Sequence, residues 1–326
     1  MQASSRVPAI AAFVTAFTLS LGAVGVQAAW PERPITIVVP TAPGGGNDAF
    51  ARVIAQKMGE SLKQSVVVVN KAGAQGAIGS EYVARAPADG YTILFGYIAT
   101  HGINPALQKL RYDPVKDFKP IGLLASSPTL LVVSSASGIT SVKDLIEKSK
   151  KDPKGLSYAS AGAGTAPHVT AELFKMVTGA NMLHVPYKGS APAMTDTLAG
   201  TTQVMFPSLF SAYPHLASGR IKALALAGDK RSDVLKDVPT LEELGVKGVS
   251  VPQWYALFAP AGTDDAIVDR LNKELNAALR DPEVIAKFKE AGADTKSSTP
   301  QELGEFVKAE VARWKKVVDA AHITTE

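Results

Sequence analysis

The chain has 326 residues, of which 46% are hydrophobic and 20% charged, with a net charge of +4 and no cysteine. That length accommodates about two domains, and the composition supports sizeable cores and excludes a disordered chain. Disulfides, thiolate zinc sites, iron–sulfur clusters, cysteine nucleophiles and lipid attachment through an N-terminal cysteine are excluded, and the mild, scattered basic excess gives no reason to expect nucleic acid as a partner.

Arg6 is the only charge before Glu32, and Val7 to Val26 is an apolar, charge-free run followed by Val26-Gln27-Ala28. This pattern predicts a secretory signal peptide over 1–28, cut after about Ala28, and an exported mature protein. A retained membrane anchor competes, since roughly 20 apolar residues span a bilayer. Pro8, Gly22, Gly25 and the lack of a basic stop-transfer cluster weigh against it.

Strands and helices then alternate. Ile35 to Pro40 reads as a strand, Asp48 to Leu62 as a helix, Val66 to Val69 as a second strand buried on both faces, Ile78 to Ala86 as a helix and Tyr91 to Tyr97 as a third strand. This is the β-α-β-α-β order of a parallel, doubly wound layout. Pro105 to Pro120 reads as irregular. A second block repeats the logic: strands at Leu130 to Ser134, Leu156 to Ser160, Leu183 to Val185, Val204 to Phe206 and Ala223 to Ala227, with helices at Ser141 to Lys150, Thr165 to Thr178, Ala191 to Ala199 and Ser211 to Ser218. The chain returns through Trp254 to Ala259 and ends in helices over Asp265 to Arg280 and Pro300 to Ala321. Two α/β blocks joined by crossing segments predict two hinged lobes with a cleft between them. The expected lobes are 29–129 with 253–326, and 130–252.

Ligands of open α/β sheets sit beyond the carboxyl ends of the strands, so three glycine loops matter. The first is Pro43-Gly44-Gly45-Gly46-Asn47-Asp48. Its glycines allow close approach of a ligand, and the helix start attracts an anion. A dinucleotide reading fails, because Asn70-Lys71 stands where an acidic residue belongs. The second loop runs from Asn70 to Gly79 and includes Gly76. The third is Ser160-Ala161-Gly162-Ala163-Gly164-Thr165-Ala166-Pro167-His168, with Thr165 as the expected N-cap. Two opposed helix N-termini would suit carboxylates. Tyr158-Ala159-Ser160-Ala161-Gly162 is a near miss to the Gly-x-Ser-x-Gly elbow of hydrolases, with histidines following at 168, 184, 215 and 322. The histidines show no metal-ligand spacing, and neither a metal nor a cofactor is expected.

The order and spacing of Trp30-Pro31-x-x-Pro34-Ile35, Pro43-Gly44-Gly45-x-x-Asp48, Asn70-Lys71-x-Gly73-Ala74-x-Gly76-x-Ile78-Gly79, Asn104-Pro105, Tyr112-Asp113-Pro114, Gly162-x-Gly164-Thr165-x-x-His168, His184-Val185-Pro186-Tyr187-Lys188-Gly189, Pro239-Thr240-x-x-Glu243-x-Gly245 and Trp254-Tyr255 resemble the substrate-binding proteins of tripartite tricarboxylate transporters, the Bug or TctC-like family. The resemblance runs from Trp30 to the C-terminus. It implies a two-lobed periplasmic-binding-protein (Venus flytrap) fold that closes on a small carboxylate and delivers it to a membrane transporter of one large and one small subunit, without catalysis. It carries ligand contacts onto Thr41, Gly44, Gly45 and Asp48 in lobe one, and onto Ala161, Gly164, Thr165 and His168 in lobe two. Asp48 is expected to cap its loop or hold a water, because its charge opposes an anion. Pro207-Ser208 stands where many relatives carry an acid, which disfavours amino-acid ligands. Tyr97, Thr100, His101, Ser208 and Phe210 are the expected cleft-facing side chains. A monomer is expected. The alternative functions are an exported carboxylate sensor feeding a membrane kinase and, less favoured, a periplasmic serine hydrolase.

Overall fold

The computed structural model describes residues 2, 30–321 and 323–324; the signal-peptide reading, its cut near Ala28, and His322 lie outside the described residues. The elements below all belong to one compact unit, Pro31–Glu326. The first sheet begins as expected: β1 (Ile35–Val39), α1 (Gly46–Leu62), β2 (Val66–Asn70), α2 (Ala77–Ala84) and β3 (Thr92–Tyr97). β1 pairs in parallel with both β2 and β3. A short α3 (Asn104–Leu107) leads to β4 (Phe118–Ser127).

The chain crosses at Pro128 into β5 (Thr129–Ser134), α4 (Val142–Lys151), β6 (Leu156–Ser160), α5 (Ala166–Thr178), β7 (Met182–Pro186), α6 (Ser190–Ala199), β8 (Val204–Met205), α7 (Leu209–Leu216) and β9 (Ile221–Ala227). It returns as β10 (Gln253–Pro260), α8 (Asp265–Arg280), α9 (Pro282–Glu290), β11 (Asp294–Thr295) and α10 (Pro300–Ala321). The sheets run β11-β4-β10-β3-β1-β2 and β7-β6-β8-β5-β9. This is the two-lobed periplasmic-binding-protein fold.

Three expectations need correction. β2 is an edge strand, not buried on both faces: Val67 is 46% and Val69 38% exposed. An unbroken valine run does not distinguish an edge from a centre. The stretch read as irregular ends in β4, which lies between β10 and β11. Pro120 and Gly122 hide it, and the β4–β10 register shifts beside their partners Phe258 and Leu257; a proline inside a sheet sits at such irregularities. The segment after α8 also forms α9, with Asp281 accepting from the Glu283 amide as its cap.

One apolar cluster runs through both sheets and includes Val38, Leu94, Phe258 and Trp314 with Val133, Tyr158, Phe174 and Phe206. The crossing segments are clamped to each other. The Thr129 hydroxyl donates to the Val251 carbonyl at 2.7 Å and accepts from Gln253 Nε2 at 3.3 Å. Buried Glu310 on α10 accepts from the indoles of Trp254 and Trp314, and Arg313 donates to the Ser250 carbonyl. No helix among the described residues is long and apolar enough to cross a membrane.

Candidate functional site

Because β1, β2 and β3 are parallel, the loops that follow them share one sheet edge. The first glycine loop is braced by Asp48. Its Oδ2 accepts from the Gly44 amide (3.1 Å) and from Arg52 Nε (3.0 Å), and its Oδ1 accepts from Arg52 Nη2 and Asn70 Nδ2. Asn70 Nδ2 also donates to the Thr41 carbonyl, which ties the second loop to the first. Burial pushes the Asp48 carboxyl up, but Arg52, the Gly44 amide and Asn70 outweigh it and hold the group below the usual carboxylate value. Asp48 is thus a loop clamp. Arg52 completes it and was not anticipated, although its i,i+4 spacing from Asp48 is a readable signal. The Thr41 hydroxyl is shielded from solvent and has no partner among the described residues. Buried polar atoms almost always have one.

The second loop holds four consecutive residues at positive φ: Gly73, Ala74, Gln75 and Gly76. The left-handed turn is held by the Gln75 carbonyl, which accepts from the Tyr97 hydroxyl (3.1 Å) and Asn104 Nδ2 (3.0 Å). A Cβ on Gly76 would stand 2.7 Å from Thr100 Cγ2. Tyr97 therefore braces a loop. Thr100 and His101 are not cleft-facing; both are fully buried. Thr100 Oγ1 bonds the Tyr97 backbone and His101 Nδ1. His101 stacks on Phe258 at 4.0 Å, and burial lowers its pKa to about 3. The segment after β3 turns inward as a wide helical turn over Ala99–Ile103, which no periodicity in the sequence marks.

In the second sheet β6 is parallel to β7 and β8, so the loops after all three again share an edge. In the third glycine loop Thr165 occupies the N-cap position of α5, but its hydroxyl donates to the Gly162 carbonyl (2.6 Å) instead of capping the helix. The Gly164 amide donates to His168 Nδ1 at 3.1 Å. The His184 ring is stacked between Tyr158 and His168, with centroids at 4.9 and 4.2 Å. Burial lowers the pKa of His168 and takes His184 to about 4, so both rings are neutral near pH 7.

Ser160 Oγ lies 2.6 Å from His184 Nε2, within the reach of a nucleophile and its base. Ser160 is however fully buried, and its Oγ also accepts from the Gly162 amide. No carboxylate is hydrogen-bonded to His184 among the described residues. The pair pins the loop that contains Ala161, and it presents no accessible nucleophile.

The two edges meet at the start of α7. Phe210 packs on Phe50 of α1 at 4.8 Å, and its ring fills the space a Cβ on Gly46 would need. Ser208 caps α7 by accepting from the Ser211 amide, and the Tyr255 hydroxyl on β10 reaches it. The structure thus joins Thr41, Gly44, Gly45, Asp48, Gly76 and Tyr97 at one edge, and Ala161, Gly164, Thr165, His168 and Ser208 at the other. Open grooves of about 870 and 320 Å3 lie elsewhere, around Lys109 to Asp117 and between Phe118 and Gln301, and include none of these residues. No group of residues fit to hold a metal occurs among the described residues.

Two α/β sheets that each carry glycine loops opening helices at their carboxyl edge, and that meet where Phe210 packs on Phe50, define a two-lobed solute-binding protein. The model of the tripartite tricarboxylate transporter family receptor, TctC, matches residues 50–323, and the chain belongs to that family. BugT of Bordetella pertussis is 36% identical over 292 residues, 89% of each chain. The solved structure of R. palustris Rpa4515 with adipate superposes with a TM-score of 0.87 at 39% identity, covering 91% of this chain and 99% of that one. MatC from Rhodopseudomonas palustris, solved with bound malate, gives 0.84 at 34% identity and covers 89% and 100%.

Proposed function

We propose that this chain is a periplasmic receptor that captures a small carboxylate between its lobes and delivers it to a tripartite tricarboxylate-type membrane transporter of one large and one small subunit. Lobe one is 29–129 with 253–326, and lobe two is 130–252. One observation carries the reading: each sheet ends in a glycine loop that opens a helix, and Phe210 holds the two edges together. Backbone amides at helix starts take anions without a cationic side chain. Arg52, the basic side chain that contacts the first loop, is already engaged by Asp48. Thr41, Gly44, Gly45 and Gly76 supply the lobe-one contacts, and Ala161, Gly164, Thr165 and His168 those of lobe two. Asp48, Tyr97, Thr100 and Ser208 hold these loops in shape. Adipate and malate, the ligands of two solved relatives, are both dicarboxylates.

The test is a thermal-shift screen of the monomeric mature protein against small carboxylates and their amides. A ligand at 100 times its Kd stabilises the fold by about 2.7 kcal/mol. A shift with an acid and none with its amide supports the reading. Shifts only with neutral or cationic compounds refute it.

A further inference from the structure

The lobe-two loop contains a hydrogen bond that a ligand would have to break. The Gly164 amide, in the loop that opens α5, donates to His168 Nδ1. Nδ1 is therefore the accepting nitrogen, and the proton of the neutral ring sits on Nε2. His168 is only 5% exposed, and Nε2 makes no hydrogen bond among the described residues. Stacked on His168 is the ring of His184, whose Nε2 is taken by Ser160.

The charged and titratable groups around this pair are few. Glu172 lies one turn along α5; it accepts from the Tyr158 hydroxyl of β6 and pairs with Lys175 at 2.8 Å. Glu172 and Lys175 act on both rings with opposite signs, so burial dominates and keeps the pair neutral. His184 of β7 and Tyr158 of β6 complete the surroundings. Among the described residues the charges acting on the rings are those of Glu172 and Lys175, which pair with each other.

We propose that ligand capture at this loop is proton-linked: the carboxylate takes the Gly164 amide from His168, and the displaced Nδ1 takes a proton from solvent. The inference rests on the reading that a carboxylate lodges here. In the free protein His168 serves as an internal acceptor that occupies the Gly164 amide. An imidazolium donates from both nitrogens and cannot accept from Gly164. Protonation therefore frees the amide and adds a cation beside the anion in one event. An opposite charge at this range favours the charged form of histidine. His184 stays neutral, because two adjacent imidazolium rings repel.

The test is titration calorimetry with adipate, and with malate, at pH 6.0, 7.0 and 8.0 in buffers of different ionisation enthalpy. Proton uptake is expected to rise from near zero at pH 8.0 towards one at pH 6.0, with Kd tightening roughly tenfold over that range. In His168→Asn, which retains an acceptor near the Nδ1 position and cannot titrate, binding heats should be independent of buffer and Kd flat with pH. Should that variant not fold, the imidazole resonances of the wild type with and without ligand give the same answer. One histidine should titrate upward on binding. Binding whose heat is identical in every buffer overturns the proton linkage and leaves the carboxylate reading intact. Linkage that survives in His168→Asn and disappears in His184→Asn overturns the assignment to His168. Absence of binding by every carboxylate in the thermal screen overturns both.

Discussion

Two loop glycines with the same backbone conformation separate strain from crowding. Gly44 has φ +83° and nothing within 4 Å of a Cβ, whereas Gly76 has φ +94° and would place a Cβ 2.7 Å from Thr100 Cγ2, 3.3 Å from the Tyr97 hydroxyl and 3.4 Å from Pro40. Left-handed backbone costs a non-glycine residue about 1–2 kcal/mol, and an added methyl in a filled core typically costs a further 1–3 kcal/mol. Thr100 cannot swing aside cheaply, because its Oγ1 is bonded to both the amide and the carbonyl of Tyr97. Gly44→Ala should therefore cost about 1.5 kcal/mol and Gly76→Ala about 3.5 kcal/mol. At roughly 2 °C per kcal/mol for a chain of this size, the Tm values should fall by about 3 and 7 °C. Urea unfolding and calorimetry read this directly. The difference between the variants is the crowding contribution alone. Equal losses would show that the second loop yields and is not held by Thr100 and Tyr97.

Asp48→Asn should weaken carboxylate binding about tenfold, a change of 1.4 kcal/mol, by loosening the Gly44 and Asn70 contacts, as read by calorimetric Kd. Since the folded Asp48 pKa is depressed, its contribution to stability is present above the unfolded value of about 3.9 and is lost as the pH falls below it. His101 is buried neutral with a pKa near 3, so stability should fall as the pH drops from about 6.5 towards 3. His101→Phe should remove about one proton from that dependence in a series of melts. Thr129→Val deletes the donor to Val251 and the acceptor for Gln253. It should cost about 1–3 kcal/mol and alter closure rates in stopped-flow ligand binding. Ser160→Ala should leave the background rate of ester cleavage unchanged; a loss of turnover would revive the hydrolase reading.

Much of this protein is local and therefore legible. β1, β3 and the α10 stripe of Leu303, Val307, Trp314 and Val318 follow from apolar periodicity, because each element buries one face or one run. The glycine loops are legible for the same reason: only glycine tolerates the positive φ at Gly44, Gly76 and Gly164 without strain. Asp48 is legible as a loop cap, since its charge opposes an anion and its place is the first turn of a helix.

What tertiary structure alone decided depends on partners far apart in sequence. Whether the valines of β2 face solvent depends on the strand order, which no run of residues states. That β10 returns between β3 and β4, and that Thr129 and Glu310 clamp the crossing segments, are long-range pairings. The burial of Thr100 and His101 follows from an inward turn stacked against Phe258, so residue type at a strand end did not reveal their direction. The stack of Tyr158, His184 and His168 unites residues 10 to 26 positions apart through parallel strands. Sequence determines which residues have the chemistry to take an anion. The packing of two sheets decides which of them are already engaged, because a hydrogen bond made inside the protein is one fewer to offer a ligand.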